Sequence, residues 1–278
     1  MSAFKTCYQT GRFTLLLSAL LLQAACATLP NPKRQTTDLA THTYALNGTG
    51  PTVVFEAGLG AGKESWAPVY QQVSTFSRAF AYDRAGYGIS HTRFSRMHTR
   101  DADAIVDELR ATLRSLELLP PYILVGHSVG GTFMELFARR YPREVAGVVL
   151  IDSRSADFSA RCRQSDLRGC EPPALLMAMM PAGPRGEFAA AEDTMNEVRT
   201  AGPFPNVPLV VLSSGNIGGS DELHQLWMET QRDLAGLSPD ANHTICDECS
   251  HNIHHDDPEL VIDAIRRVVE NTGLARQY

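Results

Sequence analysis

The sequence predicts an α/β fold: a mostly parallel sheet flanked by helices, with one inserted cap. Three observations carry that prediction. Short apolar runs alternate with longer segments of helical spacing, which is how parallel strands joined by crossover helices read. Runs such as Val148-Val149-Leu150-Ile151 are continuously apolar, as suits strands covered on both faces. The alternation is interrupted once, over residues 153–206, by a stretch rich in Ala, Met, Pro and Gly. A chain of 278 residues with 44% hydrophobic content is enough for one large domain with a sizeable core. The net charge of -6, without a Lys/Arg cluster, argues against nucleic acid as a partner.

Residues 1–27 read as an export signal. Lys5 and Arg12 give a positive start, residues 13–22 are apolar but too short to span a bilayer, and small residues follow. Two processing routes fit. Ala25-Cys26-Ala27 suits simple cleavage, and Leu22-Gln23-Ala24-Ala25-Cys26 resembles a lipobox in which Cys26 becomes a lipid anchor. Either route exports the chain, to be periplasmic, secreted or held at a membrane by lipid. Six cysteines are present, and four lie beyond the signal. In an oxidising compartment the simplest pairing is local, Cys162 with Cys170 and Cys246 with Cys249.

Residues 28–40 are polar and turn-rich and read as a linker, with the folded domain over 41–278. Residues 41–46 alternate and end in Asn47-Gly48, a hairpin signal, with 52–56 as the returning strand. Gly58-Leu59-Gly60 opens a flexible loop, and 63–76 has Trp66, Val69, Tyr70 and Val73 at helical spacing. Residues 79–82 form a strand that ends in Asp83-Arg84 and a glycine-rich turn. Residues 100–118 form an amphipathic helix stopped by Pro120-Pro121. A strand at 122–126, a helix at about 130–140 and a strand at 146–151 follow. Beyond the cap come a strand at 208–212, a helix at 221–237, a strand at 243–246 and a helix at 258–271, bounded by Pro258 and Gly273.

The chemistry centres on Gly126-His127-Ser128-Val129-Gly130, a G-x-S-x-G run between a strand and a helix. Ser128 there is a candidate nucleophile. A serine hydroxyl needs a base, and the base needs an orienting acid. Of nine histidines, His251 is the best-placed base, with His254 and His255 next by spacing. Asp152 ends the strand after the Ser128 unit, while Asp221 and Glu222 follow the next strand, so either position suits the acid. The N–H of Val129, at a helix N-terminus, and that of Leu59, in the glycine loop, suit an oxyanion hole.

Together with Glu56-Ala57-Gly58-Leu59-Gly60, Tyr82 to Ser90 and Ser250-His251-Asn252 to Leu260, this run resembles the α/β-hydrolase superfamily over about residues 41–272. The likeness is to its serine esterase, lipase and peptidase-like members. It implies Ser128 as nucleophile, His251 as base, and Leu59 and Val129 as oxyanion donors. The commonest position of the acid, just after residue 212, holds no carboxylate. The resemblance therefore implies Asp152, as in some lipases, or Asp221 reaching in from a longer loop, and Asp152 is favoured. It further implies ester hydrolysis through an acyl-enzyme, with no metal and no organic cofactor, on a small-molecule ester or acyl substrate. Epoxide hydrolases and haloalkane dehalogenases of this fold use a carboxylate where this chain has Ser128. Peptidase, thioesterase and C–C bond hydrolase are alternatives on the same fold. A non-catalytic exported binding protein is an alternative of another class. Cys246-x-x-Cys249 with His251 admits a zinc or redox reading, against which a disulfide bracing the His251 loop is expected.

Overall fold

A computed structural model describes residues 29–92 and 100–274; the signal at 1–27, with Cys26, lies outside the described residues. The strands are β1 (Lys33–Thr36), β2 (Ala40–Asn47), β3 (Thr52–Glu56), β4 (Arg78–Asp83), β5 (His91–Thr92), β6 (Tyr122–His127), β7 (Val145–Ile151), β8 (Leu209–Ser214) and β9 (Ala241–Cys246). They form one sheet in the order β1-β2-β4-β3-β6-β7-β8-β9, with β5 on β2. From β4 to β9 every neighbour is parallel; β2 is antiparallel to β1, β4 and β5. The helices are α1 (Ala67–Val73), α2 (Ala102–Ser115), α3 (Val129–Arg140), α4 (Phe158–Gln164), α5 (Ala174–Met179), α6 (Ala182–Ala189), α7 (Ala191–Thr200), α8 (Asp221–Ala235), α9 (Ile253–Asp256) and α10 (Pro258–Asn271).

The period-two alternation of a strand decides which helices cover which face. In β6, Leu124 packs with Ile105 and Leu109 of α2 and Phe133 of α3. Its neighbours Ile123 and Val125 pack on the other side with Val69 of α1 and Val261 and Ile265 of α10. Both faces are thus buried, and each such Leu, Ile or Val stabilises the fold by roughly 1.5–3 kcal/mol relative to exposure. Helix starts carry their own signals: Asp101 Oδ1 accepts from Ala104 N at 2.9 Å and Asp257 Oδ1 from Leu260 N at 3.0 Å.

Two expectations change. The stretch read as a linker contains β1, whose Arg34 and Gln35 pair with Thr43 and His42. The expected hairpin between residues 41–46 and 52–56 does not form, because β4 lies between β2 and β3. Gly48 is needed for a different reason. Its φ is 82°, and a Cβ there would lie 2.2 Å from the Ser77 carbonyl oxygen.

The insertion between β7 and β8 is helical: α4 to α7. Disulfide Cys162–Cys170 closes a loop within it, and Cys246–Cys249 joins the last residue of β9 to the turn after it, the local pairing expected. The cap is tied to the body. Thr194 Oγ1 of α7 accepts from Ala102 N at 3.1 Å, and Arg161 of α4 pairs with Glu229 and Asp233 of α8, both at 2.7 Å.

Candidate active site

Ser128 sits where β6 turns into α3, with φ 55° and ψ -126°. A non-glycine residue at positive φ costs on the order of 1–3 kcal/mol and persists only when its surroundings over-determine it. Here they do. Ser128 N donates to Ile151 O at 3.1 Å, and Ser128 O accepts from Gly131 N and Arg154 N, both at 3.0 Å. The turn also needs room. A Cβ on Gly126 would lie 2.5 Å from Gly131 Cα, and one on Gly130 would lie 2.4 Å from the Glu56 carbonyl oxygen.

Asp152 follows β7, fully buried, also at positive φ, 41°. Its Oδ1 accepts from Ser214 N at 3.0 Å and from Trp227 Nε1 at 2.8 Å. Its Oδ2 lies 2.6 Å from His251 Nδ1. A proton on Nδ1 shared with the carboxylate leaves Nε2 of His251 free to accept one. Asp221 is not brought to this place. It is exposed in the first turn of α8, which Ser220 caps by accepting from Leu223 N at 3.3 Å.

Ser128, His251, Leu59 and Val129 line one cavity of about 760 Å³. Val129 opens α3, where N–H groups have no acceptor within the helix. Gly58 abuts the serine: a Cβ there would lie 3.3 Å from Ser128 Cβ. The remaining wall is largely apolar and mostly supplied by the cap. Leu176, Met177 and Met180, from the Met-rich run, line it together with Phe133, Leu223 and Trp227.

Two other histidines, His127 and His254, pack beside the site. His127 Nε2 donates to His251 O at 2.8 Å and so helps to hold the His251 backbone. Burial, with a further contribution from the His251 charge, pushes the His127 pKa down to about 3 from 6.5. His254 is buried between Trp66 and His127, with ring centroids 4.8 and 4.5 Å away. Burial holds it far below its ordinary value as well, and its Nδ1 has no partner among the described residues. The unfolded chain protonates both histidines near pH 6.5 and the folded chain does not, so their contribution is complete above that pH and lost as pH falls. Each group removes about 1.4 kcal/mol per pH unit in that window. His254→Phe is therefore expected to flatten the acid side of a plot of urea midpoint against pH; an unchanged slope would contradict this assignment.

The cysteines near His251 are joined to each other, which takes both sulfurs out of a metal-ligand role. The spacing of the chain gave no hint of two contributors: Trp227, which holds Asp152, and Glu187 of α6. Glu187 lines the cavity and binds Arg84, with Oε1 2.7 Å from Arg84 Nε.

Comparison with known proteins gives one family match, one relative and two solved structures. The family model described as alpha/beta hydrolase family matches residues 53–264. The Bacillus subtilis protein YqjL is 32% identical over 233 residues, 81% of this chain and 87% of that protein. Among solved structures, an esterase from Thermogutta terrifontis superposes with TM-score 0.62 at 19% identity, over 86% of this chain and 99% of that one. An epoxide hydrolase from Bacillus megaterium does so with TM-score 0.64 at 17% identity, over 86% and 100%. At those identities the two structures speak for the fold.

Proposed function

The chain belongs to the alpha/beta hydrolase family, and from that premise we propose that it is a serine hydrolase cleaving carboxylic esters through an acyl-enzyme. The observation that carries the reading is the 2.6 Å contact of Asp152 Oδ2 with His251 Nδ1, beside the cavity that Ser128 and His251 line. Ser128 Oγ attacks the acyl carbon while His251 Nε2 takes its proton. The carbonyl electrons move to oxygen, which the Leu59 and Val129 N–H groups receive. The tetrahedral intermediate collapses, the alcohol leaves with the proton from His251, and water repeats the sequence on the acyl-enzyme. Asp152 holds the imidazole in the tautomer that both steps need.

The fold is shared with an epoxide hydrolase, so fold alone does not choose the reaction. Ser128 at the β6 turn favours acyl transfer. The apolar wall favours an ester with an apolar acyl or alcohol group. The two local disulfides support an exported protein in an oxidising compartment.

A fluorophosphonate probe is expected to label the protein at Ser128, with the site located by peptide mass. Folded protein that takes no label would sink the proposal and leave a binding role. For substrate class, kcat/KM on a series of p-nitrophenyl esters is expected to rise with acyl length. Each buried CH₂ is worth about 0.8 kcal/mol, or about fourfold, until the cavity is filled. A series that is flat from acetyl onward would count against an apolar acyl pocket.

A further inference from the structure

We propose that Arg84 is a positioning residue for the oxyanion-binding N–H of Leu59, and that Glu187 on the cap sets Arg84 in place. This rests on the reading above, in which Leu59 N–H receives the oxyanion.

Arg84 follows β4 and is buried. Its Nη1 donates to Glu56 Oε1 and to Ala57 O, both at 2.6 Å, and its Nη2 donates to Gly58 O at 2.9 Å. The Gly58 carbonyl and the Leu59 N–H belong to one trans peptide unit, in which C=O and N–H point in opposite directions. Holding the carbonyl toward Arg84 therefore aims the Leu59 N–H away from Arg84. Gly58 and Leu59 line the cavity that Ser128 also lines. A cation on the carbonyl also polarises the peptide unit and makes its N–H a stronger donor.

Arg84 is in turn held by the cap. Glu187 accepts from Nε at 2.7 Å through Oε1 and from Nη2 at 2.9 Å through Oε2, a bidentate pair. Tyr87 OH donates to Glu187 Oε2 at 2.7 Å and accepts from Gly60 N at 3.2 Å, so the loop, the turn and the cap share one network. The α6 backbone is pressed on that turn: a Cβ on Gly183 would lie 2.6 Å from the Gly86 carbonyl oxygen. The cap thus does more than enclose substrate. Its docking fixes the orientation of one donor of the oxyanion hole.

A brace that only stabilised the fold would lower the melting temperature without selective loss of transition-state binding. Positioning predicts a different split. Glu187→Gln and, as a second variant, Arg84→Lys are expected to lower kcat on p-nitrophenyl acetate by on the order of ten- to a hundredfold, less than full deletion of a donor, with little change in KM. Inhibition by an alkyl trifluoromethyl ketone, whose hemiketal oxygen occupies the oxyanion position, is expected to weaken in parallel. Glu144→Gln serves as the control for stability: it weakens a part-buried pair with Arg110, 2.6 Å long, and neither residue lines the cavity. It is expected to lower the melting temperature with kcat unchanged. If the Glu187 and Arg84 variants fold and keep wild-type kcat and ketone affinity while the wild type hydrolyses the ester, this proposal alone is overturned. If the wild type neither hydrolyses esters nor takes the fluorophosphonate, the esterase reading falls and this proposal with it.

Discussion

Ser128→Ala is expected to lower ester turnover by about a millionfold, with KM for an apolar ester little changed. Loss of the nucleophile in serine hydrolases has that scale, and what survives, about a thousandfold over water, comes from oxyanion donors and binding. Both remain in the variant. The cavity wall is built from cap and α8 side chains, and the proposed oxyanion donors of Leu59 and Val129 are backbone N–H groups. Alanine also suits the turn no worse than serine, since Gly126, Gly130 and Gly131 supply the close approaches. Steady-state kinetics beside a urea titration will separate lost chemistry from lost folding. A variant within tenfold of wild type would remove Ser128 from the mechanism.

Asp152→Asn is expected to cost about 10⁴ in kcat, the scale seen where this change spoils the histidine tautomer. The structure gives the reason it should do so here. Ser214 N and Trp227 Nε1 both donate to Oδ1. An asparagine satisfies them only by placing its carbonyl oxygen there, which turns its NH₂ toward His251 Nδ1. That nitrogen must then accept, so the imidazole proton moves to Nε2, where it meets Ser128 with a donor instead of a base. Asp221→Asn should stay within about twofold, as an exposed change away from special features. Equal rates for wild type and the Asp152 variant, measured at saturating ester, would reopen the choice of acid.

Much of this was legible in the sequence because it is local. G-x-S-x-G, the apolar strands and the capped α10 each announce themselves within a few residues, and the order of elements follows from their alternation. What the sequence left open depends on contacts between distant residues. Asp152 and Asp221 are both acids near strand ends, and what distinguishes them is contact with distant residues: His251, 99 positions on from Asp152, the indole of Trp227, 75 positions on, and the Ser214 N–H. Asn47-Gly48 looks like a hairpin because turn chemistry is local, whereas strand pairing is decided by β4, which slots between β2 and β3. Glu187 is 103 positions from Arg84 in a cap whose composition signals weak helices and nothing of a buried ion pair.

Asp152 and His251 meet across 99 positions, and His127 reaches the His251 carbonyl across 124. Contacts of such separation form late, because loop closure must be achieved before they contribute. On the proposed mechanism, a chain emerging from its N-terminus holds Ser128, the Leu59 and Val129 N–H groups and Asp152 before β9 and His251 exist. That mechanism leaves such a chain without a base, so no ester turnover is expected of it. On that mechanism ester turnover is expected to report the finished sheet, with β9 docked on β8 and His251 beside Asp152.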